Sequence, residues 1–141
     1  MIPSPLSLKT HFFSRIEVEA QPCLEGEPGD GLVSSHLECA RHEEEERCWM
    51  VQLGIKLEKE EELPAPHYTY HLEIIGVFSL AEEVELKDPD TFVKVNGAAV
   101  LYGAAREMIA NLTARGPFDA VELPTVTFVD EVDAKDSVGD E

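Results

Sequence analysis

The chain has 141 residues, 43% of them hydrophobic and 28% charged, with 29 acidic against 11 basic side chains for a net charge of -18. That length suits one domain around one core, since single domains usually run to about 100–150 residues. A surface this negative repels phosphate backbones, which argues against nucleic acid or anionic lipid as the main ligand and favours basic or apolar partners.

The opening residues, MIPSPLSLKTHFF, carry neither a basic n-region nor a continuous apolar stretch, so no export signal is expected. No run approaches the roughly 20 apolar residues of a membrane span, so no membrane insertion is expected and the cytoplasm is the expected compartment. Cys23, Cys39 and Cys48 form an odd set without a CxxC pair, which fits free thiols in a reducing environment.

In LSLKTHFFSRIEVEA, Leu6, Leu8, Phe12, Ile16 and Val18 fall on one face of a strand. Lys9, His11, Arg15, Glu17 and Glu19 fall on the other, with Phe13 an aromatic on the polar side. QPCLEGEPGDG is a loop by its prolines and glycines. A second strand is expected from Leu32 to about His42, then a solvated turn at Glu43 to Glu46. In CWMVQLGIKLE, Trp49, Val51, Leu53, Ile55 and Leu57 alternate with Met50, Gln52, Lys56 and Glu58. A fourth strand runs from about His67 to Leu80, with Tyr68, Tyr70, Leu72 and Ile74 on one side and His71 and Glu73 on the other. Four strands in succession predict an antiparallel meander with one buried face.

Asp88-Pro89 marks a stop, and Asp90 is placed to cap a helix after it. From Thr91 or Val95 to Arg115 the period becomes 3.6, and Arg115-Gly116-Pro117 reads as a helix end with a C′ glycine. The fold class is therefore α+β: a four-stranded antiparallel sheet followed by one long helix, with any second C-terminal helix short or absent. Leu101, Ala105, Met108 and Leu112 would pack on the sheet, while Gly97, Ala98, Val100, Ala104 and Ile109 add apolar surface around the helix. A helix apolar on several sides must be buried on several sides, and a second copy of the chain is the simplest cover. The interface is expected to draw on Gly97, Ala98, Leu101, Ala104, Ala105 and Met108. The folded domain is expected to span residues 1–128, and the acid-rich residues 129–141 to form a disordered tail.

His36, Cys39, His42 and Cys48 do not make a metal site on this reading. Zinc needs ligands converging at about 2.0–2.3 Å, whereas His36 and His42 on one strand would lie roughly 20 Å apart. No nucleophile elbow, phosphate loop or dinucleotide fingerprint is present, so neither an enzyme nor a cofactor is expected.

LYGAAREMIANLTARGPF followed by LPTVTF resembles the SecB family of protein-export chaperones. Leu101, Tyr102, Ala105, Arg106, Glu107, Arg115, Gly116, Phe118, Leu123, Val126 and Phe128 carry the match, with IGVFSL and IEVEA in support. The resemblance implies a dimer of dimers, a homotetramer with the long helices sandwiched at the tetramer interface. It also implies ATP-independent binding of unfolded preproteins in hydrophobic grooves and delivery to the translocase motor SecA. By the same resemblance the groove would involve Phe78, Phe118, Val126 and Phe128, with Trp49 and Tyr70 as additions. Acidic residues on the open sheet face would meet SecA: Glu19 matches one such position, while Arg15 and His71 stand where two other acids are expected, leaving Glu17 and Glu73 as substitutes. The chain departs from the family at Gly103 and Thr125, where prolines are usual, and lacks an apolar stripe for a lid helix after Phe128. A dedicated adaptor or antitoxin-associated chaperone binding a single partner is the alternative on the same fold.

Overall fold

The computed structural model describes residues 1–22 and 26–128, so the expected acidic tail at 129–141 lies outside the described residues. Four strands, β1 (Leu6–Ala20), β2 (Leu32–Arg41), β3 (Cys48–Glu58) and β4 (Tyr68–Leu80), precede one helix, α1 (Pro89–Thr113). The strands form a single antiparallel sheet in the order β1-β4-β3-β2. The expected meander holds from β2 to β4 but not for β1, which lies beside β4 in a Greek-key order. The connection from β1 to β2 crosses the end of the sheet, and its backbone is tied there: Gln21 N–H donates to His67 O at 2.8 Å and Gly29 N–H to Ala65 O at 3.1 Å.

Alternation is strict on β4 and is broken on β3 only by the additionally buried Cys48 and Gly54. Every second residue of β4 from Tyr68 to Leu80 is buried, as are Trp49, Val51, Leu53, Ile55 and Leu57 of β3. On β1 it fails, because the register shifts between Leu8 and Thr10 and again between Phe13 and Arg15. Each irregularity moves the following side chains to the opposite face. Phe13 therefore pairs with Ile74 and packs on the core, while Phe12 pairs with Ile75 on the open face, the reverse of the expected assignment.

α1 crosses one face of the sheet and touches all four strands. Val93, Gly97, Leu101, Ala105, Ile109 and Thr113, spaced by four, are buried against it, with Ala98 alongside. Apolar residues are spread nearly evenly around this helix, so its outward side also carries Ala99, Val100, Gly103 and Ala104. Its start lies earlier than the periodicity suggested. Asp88, not Asp90, is the N-cap, accepting from Thr91 N at 3.1 Å with Pro89 in the first turn. Asp90 instead accepts from Trp49 Nε1 at 2.7 Å and from Arg41 Nη2 at 2.9 Å, pinning the helix start to the sheet.

The helix end also differs from expectation. Ala114 caps α1 in a right-handed conformation, so Gly116 is not a left-handed C′ glycine. Its role is close approach: a Cβ there would lie 2.1 Å from Tyr68 Oη. That hydroxyl donates to Thr113 O at 3.2 Å and accepts from Phe118 N at 3.1 Å, stitching the chain after α1 to β4. Gly116→Ala is expected to lower stability by about 1–3 kcal/mol, as overpacking does. Adding Tyr68→Phe should recover only part of this, since ring carbons also lie 2.9 Å from the new Cβ; thermal melts of the single and double variants check both values.

Candidate binding cleft

After Gly116 the chain returns along the helix side of the sheet as an extended segment. Leu123 and Phe128 turn inward and are buried, whereas Val126 is 44% exposed. Between this segment and the sheet lies an open cleft of about 350 Å³. Its sheet wall is Val33 and Ser35 of β2, Leu53 and Ile55 of β3 and Tyr70 of β4. Tyr102 of α1 and residues Leu123, Pro124, Val126, Thr127 and Phe128 form the other wall. The volume falls within the ~300–1,000 Å³ of ordinary ligand pockets, and the lining is apolar and aromatic with few polar groups.

Tyr102 holds the outer wall in place. Its hydroxyl donates to Pro124 O at 2.5 Å, and its ring meets that of Phe128 edge-on with centroids 5.9 Å apart. Burial pushes the Tyr102 phenol above its ordinary pKa, and burial with Tyr102 nearby does the same for Tyr70. Both therefore stay neutral well above physiological pH, presenting apolar ring faces with single polar tips. Such a surface can accept many apolar side chains.

Of the six residues expected at a groove, Tyr70, Val126 and Phe128 line the cleft. Phe78 has no exposed surface and sits under α1 against Gly76 and Gly97. Trp49 is 2% exposed near the helix start, under the Arg41 guanidinium at 5.1 Å. Phe118 stacks on His67 at 4.1 Å and stands edge-on to Tyr68, away from the cleft lining. Sequence reasoning missed Val33, Leu53, Ile55 and Tyr102 as wall residues. For Val33 the only signal was its place on a strand whose register with β3 the sequence leaves open.

The expected interface residues divide in a similar way. Gly97, Ala98, Leu101 and Ala105 are buried under the chain's own sheet and offer no surface to a second copy, and Ile109 joins them. Ala104 and Met108 are half-buried, and the accessible apolar positions nearest them are Val100 and Gly103.

Glu17, Glu19 and Glu73 all lie on the sheet face opposite α1, as expected, but two of them are engaged by their neighbours. Glu73 has His71 Nε2 at 2.9 Å and His36 Nε2 at 3.1 Å on its two carboxylate oxygens. Glu17 has Arg15 Nη2 at 3.2 Å and His71 Nδ1 at 3.9 Å. His36 reaches Glu73 from β2 over an intervening strand because Gly54 stands between them; a Cβ there would lie 2.1 Å from His36 Cε1 and 2.7 Å from Glu73 Oε2. His42 is committed elsewhere, its Nδ1 accepting from the backbone of Glu44 and Glu45. Burial raises the thiol pKa of both Cys39 and Cys48, which favours the unreactive protonated form.

No described helix is long and apolar enough to cross a membrane. No curated protein is similar to the chain in sequence. Among solved structures, a SecB-like chaperone of Mycobacterium tuberculosis in complex with a ChAD peptide from the HigA1 antitoxin superposes with a TM-score of 0.56 at 15% identity, covering 87% of this chain and 91% of that one. A protein of unknown function from Streptococcus agalactiae gives 0.50 at 12% identity, covering 85% and 97%. These likenesses concern the fold. The family model described as "Preprotein translocase subunit SecB" matches residues 17–132, spanning the end of β1, the rest of the sheet, α1 and both walls of the cleft, so the chain belongs to the SecB family.

Proposed function

We propose that this protein is an ATP-independent holdase of the cytoplasm that binds unfolded polypeptides, preproteins among them, in the cleft between β2 and the segment after α1. The observation that carries the reading is the cleft itself: an apolar, aromatic-walled opening of about 350 Å³ with accessible valines at its rim. Affinity there would come from burying apolar area, which suits many sequences, and not from a set of specific hydrogen bonds. Assembly into a homotetramer, a dimer of dimers, through the outward side of α1 belongs to the same reading, because Val100 and its small neighbours are otherwise left in water.

A second reading, a dedicated adaptor for one partner, is favoured by two observations. The mycobacterial structure holds a peptide from an antitoxin. In addition, Glu17 and Glu73, which would have offered free negative charge to SecA, are paired with Arg15, His36 and His71 of the chain itself. Delivery to SecA would then fall mainly to Glu19. A panel of unrelated denatured proteins, mixed with the chain without nucleotide and followed by light scattering, separates the two readings. The holdase should suppress aggregation of several. Suppression of none, beside tight binding of one native partner, would establish the adaptor instead.

A further inference from the structure

From the face of the sheet opposite the cleft we infer, resting on the binding reading above, that His36 is a positioning residue for that site: its bond to Glu73 across Gly54 holds the half of β2 that carries Val33 and Ser35. β2 is an edge strand, paired with β3 alone. Its Leu37 and Cys39 pack on the core, whereas every residue from Leu32 to His36 is exposed. Among the described residues, His36 is the one member of that exposed half whose side chain makes a hydrogen bond or ion pair.

Strands two places apart in a sheet lie about 10 Å from each other, so a side chain of β2 does not ordinarily meet one of β4. His36 Nε2 nevertheless stands 3.1 Å from Glu73 Oε2, because the β3 residue between them is Gly54 and the Cβ of any other residue would collide with both partners. Glu73 is a firm anchor: only 15% of its side chain is exposed, and His71 Nε2 holds its other oxygen at 2.9 Å. Arg15, opposite Glu73 on β1, turns to Glu17, and Lys56, opposite Ser34 on β3, turns to Glu58 at 3.3 Å, so neither takes the oxygen that His36 uses. Without the contact, the stretch with Val33 and Ser35 would be held only by main-chain pairing near the end of an edge strand, where local opening is easiest. A wall that opens must be ordered again when a ligand binds, which weakens affinity. His36 thus acts on the cleft from the far side of the sheet without touching what is bound there.

The test uses the full-length chain and fluorescent lysozyme, reduced and alkylated so that it stays unfolded. His36→Ala should weaken binding about threefold or more, chiefly through faster release, and should speed amide exchange within residues 32–36 by a similar factor while β4 and α1 exchange as in the wild type. Its melting temperature should barely move, because the His36 side chain is 49% exposed. His36→Gln, whose amide nitrogen can donate to Glu73 in place of Nε2, should restore both readouts. Faster exchange spread evenly over the sheet would overturn the inference, since His36 would then contribute only to general stability. Equal weakening by His36→Gln and His36→Ala would overturn it too, because the bond to Glu73 would not be the cause. A wild type that does not hold lysozyme would count against the holdase reading. The exchange measurement needs no ligand, and unchanged exchange of residues 32–36 in His36→Ala would overturn the inference by itself.

Discussion

Ala105→Glu is expected to leave no folded protein, whereas Ala104→Glu, one residue earlier, is expected to fold and fail to assemble. Ala105 has no exposed surface and faces the sheet from the middle of α1. A carboxylate placed there has no cation to meet, and an unpaired buried charge costs several kcal/mol against a total stability of about 5–15. Ala104 lies on the outward side with Val100 and Gly103. In an isolated chain Ala104 is half-buried at the edge of the outward side, where a longer side chain can reach water. In an assembly built on that side of the helix, it would put four like charges into a desolvated contact. Circular dichroism and light scattering measure both outcomes against the 15.6 kDa mass of one chain. A wild-type protein that scatters as a monomer at micromolar concentration would remove the interface altogether.

That contrast shows where the sequence is informative and where it is not. The 3.6-residue period of α1 was legible, and so was the excess of apolar surface around it. Which of its sides faces the sheet was legible only in part: Leu101 and Ala105 were placed on it, but Gly97, Ala98 and Ile109 were not, because a helix apolar nearly all round carries little preferred direction. Ala98, Ala104 and Ala105 are chemically identical, and only the sheet distinguishes them. β3 and β4 were legible because both are central and alternate without interruption. β1 misled at Phe12 and Phe13 because the irregularities that reverse its faces leave no mark in composition. The order of strands was not legible either: placing β1 next to β4 depends on pairing between residues far apart in sequence, such as Leu6 with Leu80. The motif in α1 and the segment after it pointed to the right region for a binding site, but not to which aromatics were core. Phe78 and Phe128 look alike in sequence, yet one lies under the helix and the other at the cleft.

The open face of the sheet adds a constraint on partners. An acidic chain would be expected to present free carboxylates there, but the Glu73 carboxylate, beside Arg15 of β1, is contacted by His71 of its own strand and by His36 of β2. In the neighbouring row Glu17, His71 and Lys56 stand side by side on β1, β4 and β3. The exposed pair Arg15–Glu17 contributes little to stability, about 0–1 kcal/mol. The consequence of these contacts is for recognition, since a basic partner would have to displace Arg15 from Glu17 and the histidines from Glu73. The excess negative charge lies instead in the turns, at Glu43 to Glu46 and at Glu60 to Glu62. The apolar cleft on the opposite face is free of that competition.

Val126→Asp is expected to reduce client holding by about tenfold or more with almost no change in melting temperature. The valine is nearly half exposed on the outer wall of the cleft, so the folded chain loses little by its replacement. Surface changes of this kind usually stay within about 0.5 kcal/mol. A bound apolar segment, by contrast, would lose the roughly 1.5–3 kcal/mol available from burying such a side chain and would face a carboxylate in its place. Phe128→Ala is the instructive comparison. Phe128 lines the same cleft but is only 7% exposed and rests on the Tyr102 ring, so its truncation should cost up to about 3–5 kcal/mol of stability as well as client affinity. Loss of holding in Phe128→Ala alone would therefore be ambiguous, because a loosened wall has the same effect. Val126→Asp separates the two causes. If that variant melts with the wild type and still protects denatured clients equally well, the cleft is not where they bind.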